Sequence, residues 1–386
     1  MGPTRHRFRL FAAGAALAFP LLAGGCATLP QPRTLSCAQA PEPAVTLSSD
    51  GRTAHARIEV MTYNLEGLGW PVRKGREAEL AEIGQRLAAM REAGDAPHVI
   101  VFQEMFSDAA VDAVRAAGYP ARVAGPSQFK RRDMPSKGRV PGPRRWKKGE
   151  LGVRLAGGGL AIVSEYPILA HKSEPFSHHA CAGFDCFSNK GALYAELAIP
   201  GAPEPLRIFD SHMNSKHRSG TSTTRTLVSH EVQSQELADF VAARGDAGGP
   251  TVLAGDFNMR HSPARFAAFE AVQPLTLVQH YCLETGAGCD VRVAWTGATP
   301  WLDTEDLQFF RSGQTMTVRP VRVRTLFAGG PDDPMLSDHK AVRVTYDLSW
   351  PVDAAPTANT CPAATPIPNR RLRTIAALNA AGPAGR

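Results

Sequence analysis

Short apolar segments, each ending in polar residues, recur along the middle of this 386-residue chain. Eight of them have the length and composition of strands: 57–63, 98–102, 160–163, 192–199, 206–209, 251–253, 307–310 and 341–346. Helical periodicity appears in 77–93, 108–117, 225–244 and 263–271. Because a helix does not follow every strand, the pattern excludes a simple eightfold barrel. It predicts an α/β fold in which sheets pack face to face with helices outside.

Composition indicates one large domain between two flanking segments. With 43% hydrophobic residues the chain can bury a sizeable core, and its 35 Gly and 31 Pro favour a loop-rich fold. No linker composition interrupts residues 56–350, which are therefore predicted to form the domain. Residues 26–55 are rich in Pro, Ser, Thr and Ala and are predicted to be a linker. Residues 351–386 are predicted to be a Pro/Ala-rich tail, with a short helix possible at 370–381.

The first 25 residues have the layout of a secretory signal peptide. Arginines at positions 5, 7 and 9 precede an apolar run that ends in small residues before Cys26. The stretch Leu-Ala-Gly-Gly-Cys at 22–26 resembles a bacterial lipobox, which implies cleavage before Cys26 and lipidation of its thiol. Because Ala27 follows, rather than Asp, the resemblance favours an outer-membrane lipoprotein facing the periplasm or the cell surface. The alternative is a plain secreted protein. No protein partner is inferred.

The remaining six cysteines are an even number, which in an oxidising compartment suggests three disulfides. Short spacings favour Cys181 with Cys186 and Cys282 with Cys289, which leaves Cys37 for Cys361. Six cysteines allow 15 pairings, so this set is a prediction from proximity. A zinc site using His178, His179, Cys181 and Cys186 is the alternative for that segment.

The positive charge of the chain is concentrated in one segment. Residues 130–150 carry nine Lys or Arg against Asp133 and Glu150, a local charge of +7. Their prolines and glycines predict a loop without regular structure. Such a basic loop could meet nucleic acid, anionic lipid or lipopolysaccharide phosphate, or it could be a solvated insertion.

Polar motifs immediately follow or precede several predicted strands. They are Tyr63-Asn64-Leu65, Gln103-Glu104, Asp210-Ser211-His212-Met213-Asn214, Gly255-Asp256-Phe257-Asn258, Asp306 and Ser337-Asp338-His339. Side chains at the ends of neighbouring strands can converge, and this collection of carboxylates, amides and histidines contains no cysteine. Hard oxygen donors suit Mg²⁺, Mn²⁺ or Ca²⁺, with Co²⁺ a further option, and Mg²⁺ commonly acts beside substrate phosphates. The motifs therefore indicate phosphate chemistry.

In this order the motifs resemble those of the endonuclease/exonuclease/phosphatase superfamily, which includes deoxyribonuclease I. The resemblance extends over nearly the whole domain and includes residues 159–168 as a further landmark. It implies a four-layer α/β/β/α sandwich with the site at one end. It also implies a divalent-metal-dependent phosphoric ester hydrolase.

The resemblance also assigns roles around the metal and the base. Glu104, with help from Asn64, would hold the ion. His339 would be the general base, since histidine titrates near working pH. Asp306 or Asp338 would orient its ring, with Asp306 favoured and Asp338 nearer the metal or the phosphate.

The remaining motif residues are assigned to water and phosphate. Asp256 and Asn258 would position them, and His212 would steady the phosphoryl oxygens or protonate the leaving alcohol. A metal on one side and a base on the other permit in-line attack by water without a covalent enzyme intermediate.

One segment resembles a particular branch of the superfamily. Ser188-Asn189-Lys190-Gly191 is similar to a strand start of bacterial sphingomyelinase C enzymes, and Ser211-His212 fits their Thr-His position. This similarity implies a phosphodiesterase acting on phospholipid head groups. Those enzymes carry an aromatic hairpin before the final Asp-His, whereas here residues 315–334 offer only Leu326 and Phe327. An endonuclease and a phosphomonoesterase on inositol or sugar phosphates therefore remain alternatives, as does a lipid-anchored binding module with an inactive site.

Overall fold

The computed structural model describes residues 30–69, 73–244, 248–284, 286–293, 299–357 and 360–362. The predicted signal peptide, Cys26 and most of the predicted tail, with its possible helix at 370–381, lie outside these residues. No helix within the described part is long and apolar enough to cross a membrane.

Within the described residues, two β-sheets and five α-helices make up the fold. The strands are β1 (Thr46–Leu47), β2 (Thr53–Asn64), β3 (Val99–Gln103), β4 (Ala121–Ala124), β5 (Ala161–Ser164), β6 (Ile168–Pro175), β7 (Gly191–Leu197), β8 (Leu206–His212), β9 (Thr251–Asp256), β10 (Thr276–Leu277), β11 (Asp290–Arg292), β12 (Asp306–Arg311), β13 (Thr317–Leu326) and β14 (Ala341–Pro351). The helices are α1 (Arg76–Glu92), α2 (Asp108–Ala116), α3 (Thr223–Arg244), α4 (Pro263–Glu270) and α5 (Val278–Leu283).

The strands form one sheet of eight and one of six. The larger sheet runs in the order β11-β13-β14-β2-β3-β5-β4, with β1 also paired to β2. The smaller sheet runs β10-β12-β9-β8-β7-β6. Strand β2 is parallel to β3, and β8 is parallel to β9, so each pair ends at a common edge of its sheet.

Three hydrophobic clusters correspond to the three interfaces of a four-layer α/β/β/α sandwich. The central cluster lies between the sheets and contains Ile58 and Val60 of β2 and Ile208 of β8. Alternate residues of the larger sheet, such as Met61, pack against α1 and α2. Alternate residues of the smaller sheet, such as Phe209, pack against α3 and α4. This alternation follows from the period of two in a strand, so each sheet contributes apolar side chains to both of its faces. The predicted fold class is confirmed.

Helices α1 and α2 pack against the larger sheet and also contact each other closely. Leu80, Ile83, Gly84 and Leu87 recur at helical spacing and are buried. A Cβ added at Gly84 would lie 2.9 Å from Ala113 O, so glycine allows the two helices to approach. The Ser107 side chain accepts a hydrogen bond from Ala110 N and caps the start of α2.

All eight predicted strands and all four predicted helices are present, although β2 begins four residues earlier and β14 ends five residues later than predicted. Six strands and one helix were not predicted from the sequence: β1, β4, β6, β10, β11, β13 and α5. Three of these strands have only two or three residues. Strand β6 carries the polar run 171–174, and β13 contains Pro320 at a register shift, so neither shows a clean apolar pattern.

Residues 30–55, predicted to be part of a linker, lie against the domain instead. Strand β1 pairs with β2, and Arg33 forms a bridge with Arg122 of β4. Cys37 is joined to Cys361, as the spacing argument predicts. The composition did not reveal these contacts because pairing by short strands and a disulfide requires no apolar run.

The other two predicted disulfides are also present, Cys181–Cys186 and Cys282–Cys289. The first of them excludes the alternative zinc site, because its thiols are oxidised. The basic loop 130–150 has no regular structure except a single 3-10 turn at Trp146–Lys148.

Candidate active site

The polar motifs meet at one end of the two sheets. Asn64 ends β2 and Glu104 follows β3, while His212 ends β8 and Asp256 ends β9. Asp306 begins β12 directly opposite Asp256 in an antiparallel pairing. Strands that run parallel thus bring their last residues to the same edge of the sheet. A strand that runs antiparallel to them, such as β12, brings its first residue to that edge.

Close approach of β8 and β9 brings His212 to Asp256. The two residues are partners in the strand register, and His212 Nε2 lies 3.4 Å from Asp256 Oδ2. Gly255 has φ +151°, and a Cβ there would lie 2.1 Å from Ser211 O. Only glycine allows the backbones to come so close at this position.

Asp256 joins two groups of potential metal ligands. Its carboxylate oxygens, Glu104 and His212 form one group, and Asp256, Glu305 and His339 form the other; within each group the donor atoms lie within 4.8 Å of one another. Glu104 Oε1 is 3.9 Å from His212 Nε2, and His339 Nε2 is 4.0 Å from Asp256 Oδ2. The structure therefore places Glu104 and His339 in one pocket.

Glu104 reaches this pocket through an unusual backbone conformation. Its φ is +58°, in the left-handed region that non-glycine residues rarely adopt. Asn258 has φ +53° on the other side of the pocket. Such conformations cost of the order of 1–3 kcal/mol and concentrate at functional sites, where surrounding contacts maintain them.

Hydrogen bonds from two amides hold Asp256. Asn64 Nδ2 donates to Asp256 Oδ2 at 2.9 Å, and Asn258 donates to Oδ1 through both its backbone N and its Nδ2. Asn64 Oδ1 accepts from Glu66 N at 2.9 Å, which leaves this oxygen one lone pair. Asn258 Nδ2 also donates to Met213 O. Both predicted amides thus lie in the site, where they orient Asp256.

His339 is oriented by Asp306. Its Nδ1 lies 2.7 Å from Asp306 Oδ2, and Asp306 is buried. The Ser337 hydroxyl donates to Asn64 O and accepts from His339 N, which ties this last motif to the end of β2. Because Nδ1 is engaged, Nε2 is the ring nitrogen that faces the pocket.

Asp338 lies farther out than Asp306. Its Oδ2 is 2.7 Å from Arg218 Nη2, while its Oδ1 is 3.8 Å from His339 Nε2. Its backbone N donates to Glu66 Oε2. Of the two carboxylates considered for His339, the structure therefore places Asp306 on Nδ1 and Asp338 at the rim.

Asp210, in the same motif as His212, lies beneath the site. Gln103 Nε2 donates to Asp210 Oδ1 at 2.7 Å, and Thr62 Oγ1 donates to Gln103 Oε1 at 3.3 Å. This bridge connects the two sheets. Burial raises the pKa of Asp210 well above its usual range, with a smaller contribution from Asp256.

Lys190 adds a positive charge beside His212. Its Nζ lies 2.9 Å from His212 Nε2 and 2.5 Å from Asp185 Oδ1, and it donates to Met213 O at 3.0 Å. In the sequence, Lys190 stands out only as part of the segment that is similar to a strand start of bacterial sphingomyelinase C enzymes. The structure places it in the site.

Glu305 and Arg218 were not singled out from the sequence. Glu305 Oε2 is 3.7 Å from His339 Nε2. Its position next to Asp306 was a signal that could have been used. Arg218 lies in a loop whose sequence has no distinguishing pattern, so only the fold reveals its contact with Asp338.

The two carboxylates nearest His212 are destabilised as anions. Burial raises the pKa of Glu104, against opposing effects from Lys190, His339 and Asn64. Burial raises the pKa of Asp256 well above its usual range; His339 opposes this and Glu305 adds to it. Carboxylates whose pKa values are raised by removal from water favour a bound cation. The oxygen-rich donor set thus fits a hard divalent ion.

The two histidines are shifted in opposite directions. Burial, Lys190 and His339 together hold the pKa of His212 well below its usual range. Burial also lowers the pKa of His339, but Asp306, Asp256 and Glu305 outweigh it and hold that pKa well above its usual range. The environment therefore favours the neutral form of His212 and the protonated form of His339.

Comparisons with known proteins agree with this geometry. Residues 61–339 match the model of the "Endonuclease/Exonuclease/phosphatase family". Comparison with curated proteins gives no significant match.

Three solved structures show the same fold at low sequence identity. Sphingomyelinase C from Streptomyces griseocarneus has 22% identity, and the match covers 75% of this chain and 99% of that one with a TM-score of 0.51. A beta toxin mutant from Staphylococcus aureus with bound magnesium ions has 18% identity, coverages of 75% and 99% and a TM-score of 0.50. Humanized D. rerio TDP2 has 15% identity, coverages of 75% and 98% and a TM-score of 0.50.

Proposed function

The chain belongs to the endonuclease/exonuclease/phosphatase family, and from this premise we propose that it is a divalent-metal-dependent phosphodiesterase acting on phospholipid head groups. The observation that carries the proposal is the position of Asp256 between Glu104 with His212 on one side and Glu305 with His339 on the other. A phosphoryl group seated there would have ligands for a cation and a base within reach.

Glu104 and Asp256 would hold the ion, with Asn64 supporting them. Mg²⁺ is the expected metal and Mn²⁺, Ca²⁺ or Co²⁺ are alternatives, because the donors are hard oxygen atoms. When bound, such an ion neutralises charge on the phosphoryl oxygens. Support comes from the raised pKa values of the two carboxylates and from the magnesium ions in the structurally similar beta toxin mutant.

His339 is the proposed general base. Asp306 accepts the hydrogen bond from Nδ1–H and thereby leaves Nε2 free to take a proton from the attacking water. Asp306 also stabilises the imidazolium that forms. Asn258 and Asp256 would position the water and the phosphate. Asp338, at the rim of the site, would lie near the metal or the phosphate.

His212 and Lys190 are proposed to act on the phosphoryl oxygens and the leaving alcohol. Because the pKa of His212 is held low, the positive charge here is that of the Lys190 ammonium group, which contacts His212 Nε2 and would face the negative charge that develops. Together with the base on the opposite side, this arrangement suits in-line displacement by water. No nucleophilic side chain is needed.

The phospholipid substrate is proposed from the similarity of Ser188-Asn189-Lys190-Gly191 to bacterial sphingomyelinase C. Lys190 of this segment contacts His212 in the site. An endonuclease is the second candidate, favoured by the basic loop 130–150, whose cations could bind a phosphate backbone. In that case affinity would fall steeply with salt.

The test is turnover by the full chain with Mg²⁺ on sphingomyelin, phosphatidylcholine, plasmid DNA and inositol phosphates. We expect cleavage of a phospholipid, loss of activity with EDTA, and recovery on adding Mg²⁺. His339→Ala should lower turnover roughly 10²- to 10⁴-fold without unfolding the protein, as expected for a general base. Unchanged turnover in this variant, or activity that is indifferent to EDTA, would contradict the proposal.

We also propose that lipidated Cys26 anchors the protein to the outer membrane, facing the periplasm or the cell surface. The support is the lipobox-like sequence at 22–26. Metabolic labelling with a fatty acid should mark the wild-type chain and not Cys26→Ser. Equal labelling of both would refute the anchor and leave a secreted protein as the alternative.

A further inference from the structure

Large apolar side chains are exposed along one part of the molecule, in and around the basic loop. Six of the ten exposed large hydrophobic residues in the described part of the chain belong to this surface: Phe129, Trp146, Leu151, Val153, Leu155 and Phe184. Phe129 is 82% exposed and Trp146 is 64% exposed. A soluble monomer rarely leaves so many apolar groups together in water without a binding role.

Three of these side chains project from one short segment. Between residues 151 and 155 exposed and half-buried positions alternate, and Leu151, Val153 and Leu155 are the exposed ones. Arg154, between them, turns inward and its Nη1 donates to Cys186 O at 2.8 Å. The segment is therefore held in place with its aliphatic side chains outward.

Residues 184–189 connect the parts of this surface. Leu155 N donates to Phe187 O, and the rings of Phe187 and Phe184 stack with centroids 6.3 Å apart. Lys148 Nζ lies 5.9 Å from the centroid of the Phe184 ring. Asn189 Nδ2 donates to Ser127 O and Lys130 O on either side of Phe129.

Unpaired positive charges accompany the apolar groups. Within 130–150, which the structure describes in full, six cations form no ion pair and are exposed: Arg131, Arg139, Arg144, Arg145, Lys147 and Lys148. Lys147 Nζ lies 5.2 Å from the Trp146 ring centroid. Glu150, one of the two acids of the loop, is already paired with Arg225. The surface therefore presents apolar side chains surrounded by uncompensated positive charge.

We propose that this surface docks onto an anionic lipid bilayer. Aromatic and aliphatic side chains enter the interface while Lys and Arg meet lipid phosphates, and binding strength grows with both contributions. Nucleic acid would also attract the cations. However, single-stranded binders stack bases on aromatic rings, and the row of Leu151, Val153 and Leu155 has no such use. Aliphatic side chains beside cations favour lipid.

Docking in this way would place the active site next to the membrane. Asp185 follows Phe184 directly and pairs with Lys190, which in turn contacts His212. The inference deepens the proposed phospholipid-directed function and rests on it for its biological meaning, but the binding test below requires no turnover.

The test is cosedimentation of the full chain carrying Cys26→Ser, which removes the proposed lipid anchor, with vesicles of phosphatidylcholine, alone or with about one-third phosphatidylglycerol. We expect binding to be strong only with the anionic lipid and to weaken with salt. Each basic residue near an anionic surface contributes about fivefold to partitioning, so Lys147→Gln/Lys148→Gln should lose about 25-fold. All variants share the N-terminal segment, so the differences report on the surface.

A second variant, Leu151→Ser/Val153→Ser/Leu155→Ser, should lose at least tenfold in vesicle partitioning. Its matched control removes three exposed leucines elsewhere, at positions 47, 169 and 283, and should bind like wild type. Both should hydrolyse a soluble phosphodiester at the wild-type rate, which shows that the site is folded. If the loop variants bind vesicles as tightly as wild type, or if the control loses as much, the docking surface is refuted.

Quenching of tryptophan fluorescence by brominated lipids gives an independent measurement. We expect quenching in wild type and its loss in Trp146→Leu; quenching that persists in this variant would place another part of the chain in the bilayer. If the protein binds anionic vesicles but cleaves no phosphodiester, the proposed function is refuted and the docking proposal is supported. If the loop variants weaken binding to single-stranded nucleic acid and the protein does not bind vesicles, the proposal of lipid docking is refuted.

Discussion

Replacing Asp306 with asparagine tests the pairing that gives His339 its role. Asp306 is buried, and its Oδ2 lies 2.7 Å from His339 Nδ1. Asparagine keeps the size of the side chain but removes the charge. It can also donate to Nδ1, which would place the proton on Nε2 and prevent that nitrogen from accepting one from water.

The size of the effect follows from the lost hydrogen bond. A hydrogen bond to a charged group contributes about 1.5–3 kcal/mol, and each 1.36 kcal/mol is tenfold in rate. The lost stabilisation of the imidazolium alone should lower kcat/KM about 10- to 150-fold, and trapping of the wrong tautomer would add to this.

The pH profile should change in a definite direction. A general base works when deprotonated, so activity rises as pH passes upward through its pKa. Asp306 helps to hold the pKa of His339 above its usual range, whereas burial lowers it. Without the Asp306 charge the pKa falls, and the acidic limb of kcat/KM moves to lower pH while its plateau drops.

The assay is hydrolysis of a soluble phosphodiester across pH at saturating Mg²⁺, with Asp338→Asn as the matched control. Asp338 contacts Arg218 rather than His339 Nδ1, so its loss should move the acidic limb less. An Asp306→Asn variant with kcat/KM within twofold of wild type, or with its acidic limb at higher pH, would refute the assignment of Asp306 as the orienting group.

Three further predictions concern metal, disulfide and pH. Glu104→Gln should raise the Mg²⁺ concentration for half-maximal activity at least tenfold, because a charged ligand is lost; an unchanged titration would remove Glu104 from the metal site. Replacing Cys37 and Cys361 with Ala opens a loop spanning a sequence separation of 324 and should lower the free energy of unfolding by about 4–6 kcal/mol on the chain-entropy estimate, checked by urea denaturation. Burial raises the pKa of Glu150, but Arg225 and two backbone N–H groups outweigh it and lower the pKa overall. The stability that Glu150 adds is therefore present above its unfolded pKa and lost as pH falls through its folded pKa. The urea midpoints of wild type and Glu150→Gln should converge in acid, and a constant gap would contradict this.

The sequence alone determined most of the longer elements and the edge of the fold where the polar motifs meet. Periods of 2 and 3.6 residues are local properties, so eight strands and four helices could be located correctly. Polar residues at strand ends, from Asn64 to His339, mark an edge because strand directions bring their termini together. The disulfide pairs also followed from spacing and elimination.

Only the tertiary structure decided which groups touch. The register of β9 with β12 sets Asp306 opposite Asp256, and thereby selects it over Asp338 as the partner of His339. Packing of one sheet on the other brings Asn64 to Asp256, 192 residues away. The exposure of Leu151, Val153 and Leu155 could not be predicted from the sequence either, because a sequence does not show which apolar side chains remain unburied. Contacts between distant residues depend on register and layer packing, which no local pattern encodes.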